Sequence, residues 1–213
     1  MSEYGYIPES PAQSPFNNKG IFTPEDIYDL DSADKWTQYG QLELIQTQTV
    51  SGAVAGVDFT NLGTYNVHFI TIHSFSSATD FGAVSLRVST DGGSSFKTSA
   101  YQYANQYNTA GSNGEQKSTS DDDITNMAPP NSGASPNASN GYAYLYNFVD
   151  SAKYSYLSWG STAVISYNGR YEGYNGAGVY PVAESHNAFR LYPQNASNVD
   201  NGTISLYGIK GYS

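Results

Sequence analysis

The amino-acid sequence predicts an all-β protein: an antiparallel, jelly-roll-like β-sandwich preceded by an extended N-terminal arm with a short helix. Three observations support this prediction. From Gln41 onward apolar and polar residues alternate with a period of two, as in AVSLRVS, where Val84, Leu86 and Val88 share one face. Turn residues separate these short segments, and no helical period occurs among them. A chain of 213 residues can bury one core, and all-β domains of this size often remain undivided.

The predicted arm and helix occupy residues 1–40. Three prolines among the first fifteen residues fix φ and remove hydrogen-bond donors, which indicates an extended segment. Thr23 is a good N-cap, and Pro24 suits the first position of a helix. A helix of fewer than about 12 residues is marginal in water, so this one forms only when it docks on its own domain or on a neighbour. We expect the arm to anchor the chain to a larger assembly through Ile21, Phe22, Ile27, Tyr28, Leu30 and Trp36.

The predicted sandwich domain occupies residues 41–213. Asp91-Gly92 is a dipeptide that favours a tight type I′ hairpin, so the strand at Val84 is expected to return through residues 96–107. About eight or nine short strands joined by turns favour a sandwich, most simply a jelly roll. The other predicted strands are residues 42–50, 57–60, 65–74, 142–149, 161–167, 186–192 and 202–210.

One long polar stretch departs from this alternation. Residues 106–140 are nearly all Ser, Asn, Gly, Asp and Pro, with too little apolar area to fold alone. We predict a long loop, and loops far beyond about 15 residues are usually functional or disordered, so this one is a candidate contact surface. Within it, Asp121, Asp122 and Asp123 are most simply solvated, with calcium binding as the alternative.

Composition excludes several classes of protein. Cysteine is absent, so neither disulfides nor a thiolate metal site can stabilise the fold. A formal charge of −10 repels phosphate backbones, so nucleic acid is not an expected partner. The N-terminus lacks a signal-peptide pattern, and the longest apolar stretches are far shorter than the roughly 20 residues of a membrane span, so we expect no membrane insertion.

The residues that most often carry catalysis or bind metals are poorly placed. His68 and His73 are five residues apart in one predicted strand, which puts them on opposite faces and roughly 16 Å apart. They cannot share a metal ion, and we expect no cofactor. Glu172 and Glu184 are the candidates for the carboxylate pair of a glycosidase. Their Gly-rich or turn-like surroundings favour ordinary solvated carboxylates instead.

Tyrosine is the enriched residue, with 20 in the chain. Tyr142, Tyr144 and Tyr146 share one face of a predicted strand, which fits either an ordinary half-exposed sheet or a subunit interface. In YNVHFITIH, Phe69 and Ile70 show that apolar side chains point to both faces, so the outer face needs a cover. A symmetry mate is the commonest cover, and we expect a homo-oligomer, most simply a trimer.

A second tyrosine group lies in the Gly-rich segment YNGRYEGYNGAGVYP. Tyrosine and arginine on adaptable loops are typical of recognition surfaces, and aromatic faces also stack on sugar rings. We therefore predict a receptor contact at Arg170, Tyr171, Tyr174 and Tyr180.

Four segments together resemble a group of virion structural proteins from tailed bacteriophages, especially marine and cyanobacterial ones. The segments are NKGIFTPEDIYDLDSADKW, ELIQTQTVSGAVAGVDFTNLGTYNVHFITI, LRVSTDGGSSF and GTISLYGIKGYS, and the resemblance covers most of the chain outside residues 106–140. The family resembled contains tail-fibre, receptor-binding and head-decoration modules. It implies a non-enzymatic jelly roll on the virion surface, commonly trimeric, with the N-terminal segment as the anchor and no catalytic residues.

The leading functional hypothesis is therefore a phage surface appendage, a tail fibre or receptor-binding adhesin assembled in the bacterial cytoplasm. Its expected partners are other virion proteins, bound through the arm, and a host surface glycan or protein. A capsid decoration protein is the alternative, and a carbohydrate-active enzyme is the remote one.

Overall fold

The structure is a computed structural model, and it confirms the predicted fold class. Two antiparallel sheets are packed as a β-sandwich. Contacts divide the chain into two compact units, with the boundary between residues 41 and 42. The structure describes residues 13–14, 17–18, 23–33, 42–79, 82–129, 137–165, 169–194 and 197–210.

The first unit contains a short ribbon and a helix. Strands β1 (Gln13–Ser14) and β2 (Asn17–Asn18) pair with each other in antiparallel fashion. Helix α1 (Pro24–Ser32) begins where the cap residues predict, because the Thr23 carbonyl accepts a hydrogen bond of 3.1 Å from the Ile27 N–H. No helix in the described part of the chain is long and apolar enough to cross a membrane.

The described part of the second unit contains twelve strands in two sheets. The eight-stranded sheet has the order β3 (Leu42–Val50), β14 (Val199–Ile209), β5 (Val67–Ser77), β10 (Ser139–Tyr146), β11 (Ser155–Val164), β12 (Tyr171–Tyr180), β7 (Tyr101–Thr109) and β8 (Asn113–Asp121). The four-stranded sheet has the order β4 (Val57–Phe59), β13 (Ala188–Pro193), β6 (Val84–Ser89) and β9 (Ile124–Ala128). All neighbouring strands are antiparallel.

Eight of these strands follow the connectivity of a jelly roll. In chain order they are β3, β4, β5, β6, β9, β10, β13 and β14. A jelly roll forms when one long antiparallel ribbon wraps around a core. In the ribbon the first strand pairs with the eighth, the second with the seventh, the third with the sixth and the fourth with the fifth. The observed pairs β3–β14, β4–β13, β5–β10 and β6–β9 are the four pairs of such a ribbon. The predicted jelly roll is therefore confirmed.

Two inserted hairpins widen one sheet. The β7–β8 hairpin lies between β6 and β9 in the chain, and the β11–β12 hairpin lies between β10 and β13. Both add to the same sheet beyond β10, where β12 pairs with β7. We call β11, β12, β7 and β8 the extension. Two insertions that are distant in sequence thus form one continuous surface.

The predicted long loop at residues 106–140 is wrong. β7 continues to Thr109, and β8 and β9 occupy much of the remainder, while residues 130–136 lie outside the described residues. The reason is that a hairpin at a sheet edge needs main-chain hydrogen bonds more than apolar area, and β7 obtains these from β12. Low apolar content was therefore a poor guide to local order.

The Gly-rich segment that was predicted to form a loop is instead the long strand β12. Its glycines leave room for aromatic rings on neighbouring positions. A Cβ at Gly176 would lie 2.4 Å from the Trp159 ring, so this position accepts no side chain without rearrangement. Glycine here reflects close packing of the sheet, which composition alone does not distinguish from a flexible loop.

Asp91-Gly92 is a turn, but the predicted tight hairpin is wrong. The strand before it, β6, pairs with β9 and β13, whereas the next strand, β7, lies in the other sheet. Gly92 and Gly93 have φ of 73° and 86°, as the turn requires. The Asp91 carboxylate accepts hydrogen bonds from the Ser95 N–H and the Ser89 hydroxyl, and its bonds to Ser95 chiefly lower its pKa to about 2.

The core lies between the two sheets and is formed by inward-facing residues of both. Phe59 and Phe189 of the four-stranded sheet stack with ring centroids 4.9 Å apart. Ile70 and Leu145 face them from the eight-stranded sheet and are fully buried. The indole N–H of Trp159 donates a hydrogen bond of 3.1 Å to a carbonyl of β9, which connects the base of the extension to the smaller sheet.

Candidate ligand-binding sites on the two faces of the extension

The outer face of the eight-stranded sheet has a groove that crosses β5, β10, β11 and β12, with a volume of about 560 Å³. We call it the outer groove. The described residues that line it include no Asp, Glu, Lys or Arg. Its main side chains are Thr71, His73, Asn140, Tyr142, Tyr171 and Asn175.

Two half-exposed tyrosines form the walls of the outer groove. Tyr142 is 47% exposed and Tyr171 is 49% exposed. A Cβ at Gly160 would lie 2.9 Å from the Tyr142 hydroxyl oxygen and 3.0 Å from two of its ring carbons, so this ring lies over Gly160. The Tyr171 hydroxyl lies over Gly173 in the same way, 2.6 Å from the position of a Cβ. Glycine at these two positions leaves room for the tyrosine side chains against the sheet.

The register of the strands places these two rings near each other. Gly160 pairs with Asn175, and Gly173 is two residues away on the same face of that strand. Diagonal neighbours of this kind are about 7–8 Å apart. The exposed side chains of Asn175 and Thr162 lie between the rings and supply polar groups. The groove therefore combines two aromatic platforms with hydrogen-bonding groups on a rigid sheet.

The opposite face of the extension has a second site, a cavity of about 330 Å³ that we call the inner cavity. Glu172 and Tyr174 of β12 point into this face, and both are more than 90% buried. The Tyr174 hydroxyl donates a hydrogen bond of 2.8 Å to Glu172 Oε1. The ring of Tyr107 lies 6.2 Å from that of Tyr174, centroid to centroid. The remaining lining residues are Thr109, Ser112, Gln116 and Arg170.

The four residues of the predicted receptor contact separate into three environments. Tyr171 lines the outer groove, whereas Arg170 and Tyr174 line the inner cavity. The prediction is wrong for Tyr180, which is only 6% exposed and packs 4.9 Å from Tyr101 in the core. Alternation along β12 places Tyr171 on the opposite face from Tyr174 and Tyr180. Tyr180 lies in the core and not in the cavity because it is at the far end of the strand, beside Tyr101.

The predicted subunit interface is only partly exposed. Tyr142 belongs to the outer groove, while Tyr144 and Tyr146 are half-buried. Together with Phe69 and Tyr207 they form an aromatic strip on the outer face, in which Phe69 and Tyr144 are 4.9 Å apart. Both faces of β5 are therefore apolar, as predicted, and the role of the aromatic strip in oligomerisation stays a prediction.

The predicted anchor residues lie in the first unit. Ile27 and Tyr28 of helix α1 are 37% and 72% exposed, and Leu30 is half-buried. Ile21, Phe22 and Trp36 lie outside the described residues. Anchoring through this segment stays a prediction.

The carboxylate pair considered for a glycosidase is not formed by Glu172 and Glu184. Glu184 lies beyond the far end of β12, where it pairs with Lys97 at 3.0 Å. The extended strand from Glu172 to Tyr180 alone spans about 26 Å, and Glu184 lies beyond Tyr180. A glycosidase requires its two carboxyl groups to be only about 5 to 9.5 Å apart.

The histidines and the aspartate run have mainly structural surroundings. His68 is buried and its Nε2–H donates a hydrogen bond of 2.7 Å to the Leu62 carbonyl, whereas His73 is exposed on the opposite face. Carboxylate oxygens of the run 121–123 lie within 4.8 Å of one another. The prediction of a solvated loop is wrong for Asp123, because it is 4% exposed and burial raises its pKa.

Arg87 already compensates much of this negative charge. Its guanidinium forms an ion pair with Asp122 and lies 3.9 Å from Asp123. The Tyr192 hydroxyl also donates a hydrogen bond to Asp123. These contacts form an ion-pair network around the aspartates. Calcium binding at residues 121–123 stays an alternative prediction.

No motif in the sequence indicated the side chains that β7 and β8 contribute to the inner face. Tyr107 and Gln116 belong to the stretch that was predicted to be a loop. The signal was present in YQYANQY, where Tyr101, Tyr103, Asn105 and Tyr107 recur with a period of two.

The chain matches no known protein-family model, no curated protein and no solved structure.

Proposed function

We propose that this chain is an attachment protein of a tailed phage, which binds a neutral host surface glycan in the outer groove and is held on the particle by residues 1–40. The observation that carries the proposal is the pair Tyr142 and Tyr171, each about half exposed and each with its hydroxyl end over a glycine. The virion part rests on the sequence resemblance. Viral capsid and lectin domains both use the jelly roll, which is consistent with either role but does not select between them.

The chemistry of the outer groove favours carbohydrate over other ligands. The apolar face of a sugar ring stacks on an aromatic ring, while its hydroxyl groups need amides and hydroxyls as partners. Asn175 and Thr162 provide such partners between the two tyrosines. Because the described lining has no carboxylate or cationic side chain, the groove suits an uncharged glycan and offers no acid pair for hydrolysis.

The test is binding of the full-length protein to a glycan array that includes bacterial capsular and lipopolysaccharide glycans. Tyr142→Ala and Tyr171→Ala should each weaken binding roughly fivefold, since an aromatic contact contributes about 1 kcal/mol. Tyr154→Ala and Tyr156→Ala are matched controls, because these tyrosines are 46% and 45% exposed but do not line the groove. Equal losses in all four variants, or no glycan bound at all, would contradict the proposal.

A capsid decoration protein is the second candidate function. It would use the same anchor as the adhesin, helix α1, in which Ile27 and Tyr28 are exposed. Immunogold labelling of whole particles distinguishes the two, because an adhesin is expected on the tail and a decoration protein on the head. Deleting residues 1–35 should leave a soluble sandwich that no longer enters particles under either function, and precipitation of this fragment would weaken the anchor hypothesis.

A further inference from the structure

We propose that the inner cavity is a second ligand-binding site, which takes a small polyhydroxylated molecule such as a single sugar ring. This site is on the opposite face of the sheet from the outer groove, and the inference does not rest on the function proposed for that groove. It follows from the inward-facing side chains of the extension, which change from apolar to polar along the strands.

Strand register shows where this change occurs. Across the base of the extension, Leu157, Gly178 and Tyr103 pair as an apolar row beneath β9. Towards the other end polar side chains enter the inward rows. The successive rows are Trp159, Gly176, Asn105 and Gln116, then Ser161, Tyr174 and Tyr107, then Ala163, Glu172 and Thr109.

Buried polar groups without partners occur in these polar rows. Asn105 is 4% exposed, and neither its Oδ1 nor its Nδ2 has a hydrogen-bond partner. The Ser161 hydroxyl, across the strand pair from Tyr174, is also buried without a partner. Native proteins leave few such groups, and each requires a physical explanation. Neither Asn105 nor Ser161 is among the residues that line the inner cavity, so the two mark a polar strip beside it and are not expected to contact its ligand.

Glu172 adds a strong acceptor at the same place. A buried carboxylate can accept about four hydrogen bonds, and the Tyr174 hydroxyl supplies a neutral donor to one of its oxygens. Because burial of a carboxylate is costly without donors, additional hydroxyl groups in the cavity would stabilise it. Glu172 is the only carboxylate among the described residues that line the cavity, so this arrangement favours binding over hydrolysis.

The size and walls of the cavity limit the ligand. A volume of about 330 Å³ is at the small end of the range for ligand pockets, which suits one ring better than an oligosaccharide. The tilted rings of Tyr107 and Tyr174 form an aromatic wall with an angle of 58° between their planes. A polyol ring can place its apolar face on such a wall and its hydroxyls on Glu172 and Gln116.

Isothermal titration calorimetry tests the inference. The full-length protein is titrated with D-galactose, with N-acetyl-D-glucosamine and with glycerol. At least one of the two sugars should bind. Glu172→Gln should weaken its binding at least tenfold, whereas Glu115→Gln should not, because Glu115 is an exposed carboxylate on the other face of β8. Tyr142→Ala should also leave this binding unchanged, which separates the inner cavity from the outer groove.

Gln116→Leu is a second variant at an exposed edge position of the cavity lining, and it should fold in any case while weakening sugar binding. Asn105→Ala is a control for general disturbance of the sheet, because Asn105 is buried beside the cavity without lining it, and it should leave sugar binding unchanged. The inference is overturned if neither sugar binds, or if binding persists undiminished in Glu172→Gln and Gln116→Leu.

Discussion

Acidification from pH 7.5 to 5.5 is expected to destabilise the sandwich through two buried histidines. His68 and His186 are both fully buried, and burial is the main cause that lowers the pKa of each below its ordinary value near 6.5. The surroundings of His68 offer the Leu62 carbonyl and the edge of the Tyr65 ring. His186 contacts the Ser155 hydroxyl at 2.8 Å and lies 3.4 Å from Glu184, which itself pairs with Lys97.

The sign follows from proton binding in the two states. Well above pH 6.5 both histidines are neutral in the folded and the unfolded chain, so they cause little pH dependence there. As the pH falls through 6.5, the unfolded chain binds protons that the folded chain excludes, and the free energy of unfolding falls. Each histidine that stays neutral in the fold at pH 5.5 lowers this free energy by somewhat more than about 1 kcal/mol between pH 7.5 and 5.5, so the two together give a loss of up to about 3 kcal/mol.

Guanidinium unfolding at pH 7.5, 6.5 and 5.5, followed by tryptophan fluorescence, measures this loss. The double variant His68→Gln, His186→Gln should lose most of the dependence in this range, whatever its stability at pH 7.5. His73→Gln is the matched control, because His73 is exposed and should leave the dependence intact. Asp123 acts in the opposite sense, since its raised pKa favours protonation of the fold, and it is present in every variant compared.

An equal free energy of unfolding of the wild-type protein at pH 7.5 and 5.5 would contradict this prediction. A double variant that keeps the full pH dependence would also contradict it. Both results would mean that the two imidazoles do not resist protonation in the folded chain.

Three further predictions concern the core, the outer groove and the aromatic strip. Phe189→Ala should lower the free energy of unfolding by about 3–5 kcal/mol in denaturant titration, because it leaves a cavity beside Phe59; a loss below about 1 kcal/mol would contradict the packing. Gly160→Ala should displace only the Tyr142 ring and weaken glycan binding with little loss of stability. Gly141→Ala should instead lower the melting temperature, since its Cβ would lie 2.8 Å from the backbone oxygen of Gly160. Light scattering should give the mass of a trimer for the full-length protein and that of a monomer for Tyr144→Lys, and an unchanged mass would exclude the aromatic strip as the interface.

The sequence alone was sufficient for the features that depend on local periodicity. The alternation in AVSLRVS and the turn residues between strands predict an antiparallel sandwich, and the observed jelly roll has this form. Thr23 and Pro24 likewise indicate the start of helix α1, because capping involves residues within one turn. Such signals are readable because all interacting groups are near one another in the chain.

The candidate sites depended on contacts between distant residues, and only the tertiary structure revealed them. β12 has the composition of a loop and β8 has the composition of disorder, yet both are ordered strands because each pairs with β7. That pairing decides that Tyr171 and Tyr174 occupy opposite faces, and that Tyr142 joins Tyr171 in one groove. Main-chain hydrogen bonds across the sheet determine which strands pair and which face of each strand is covered. Every residue type except proline offers the same main-chain groups, so the sequence contains little information about this pairing.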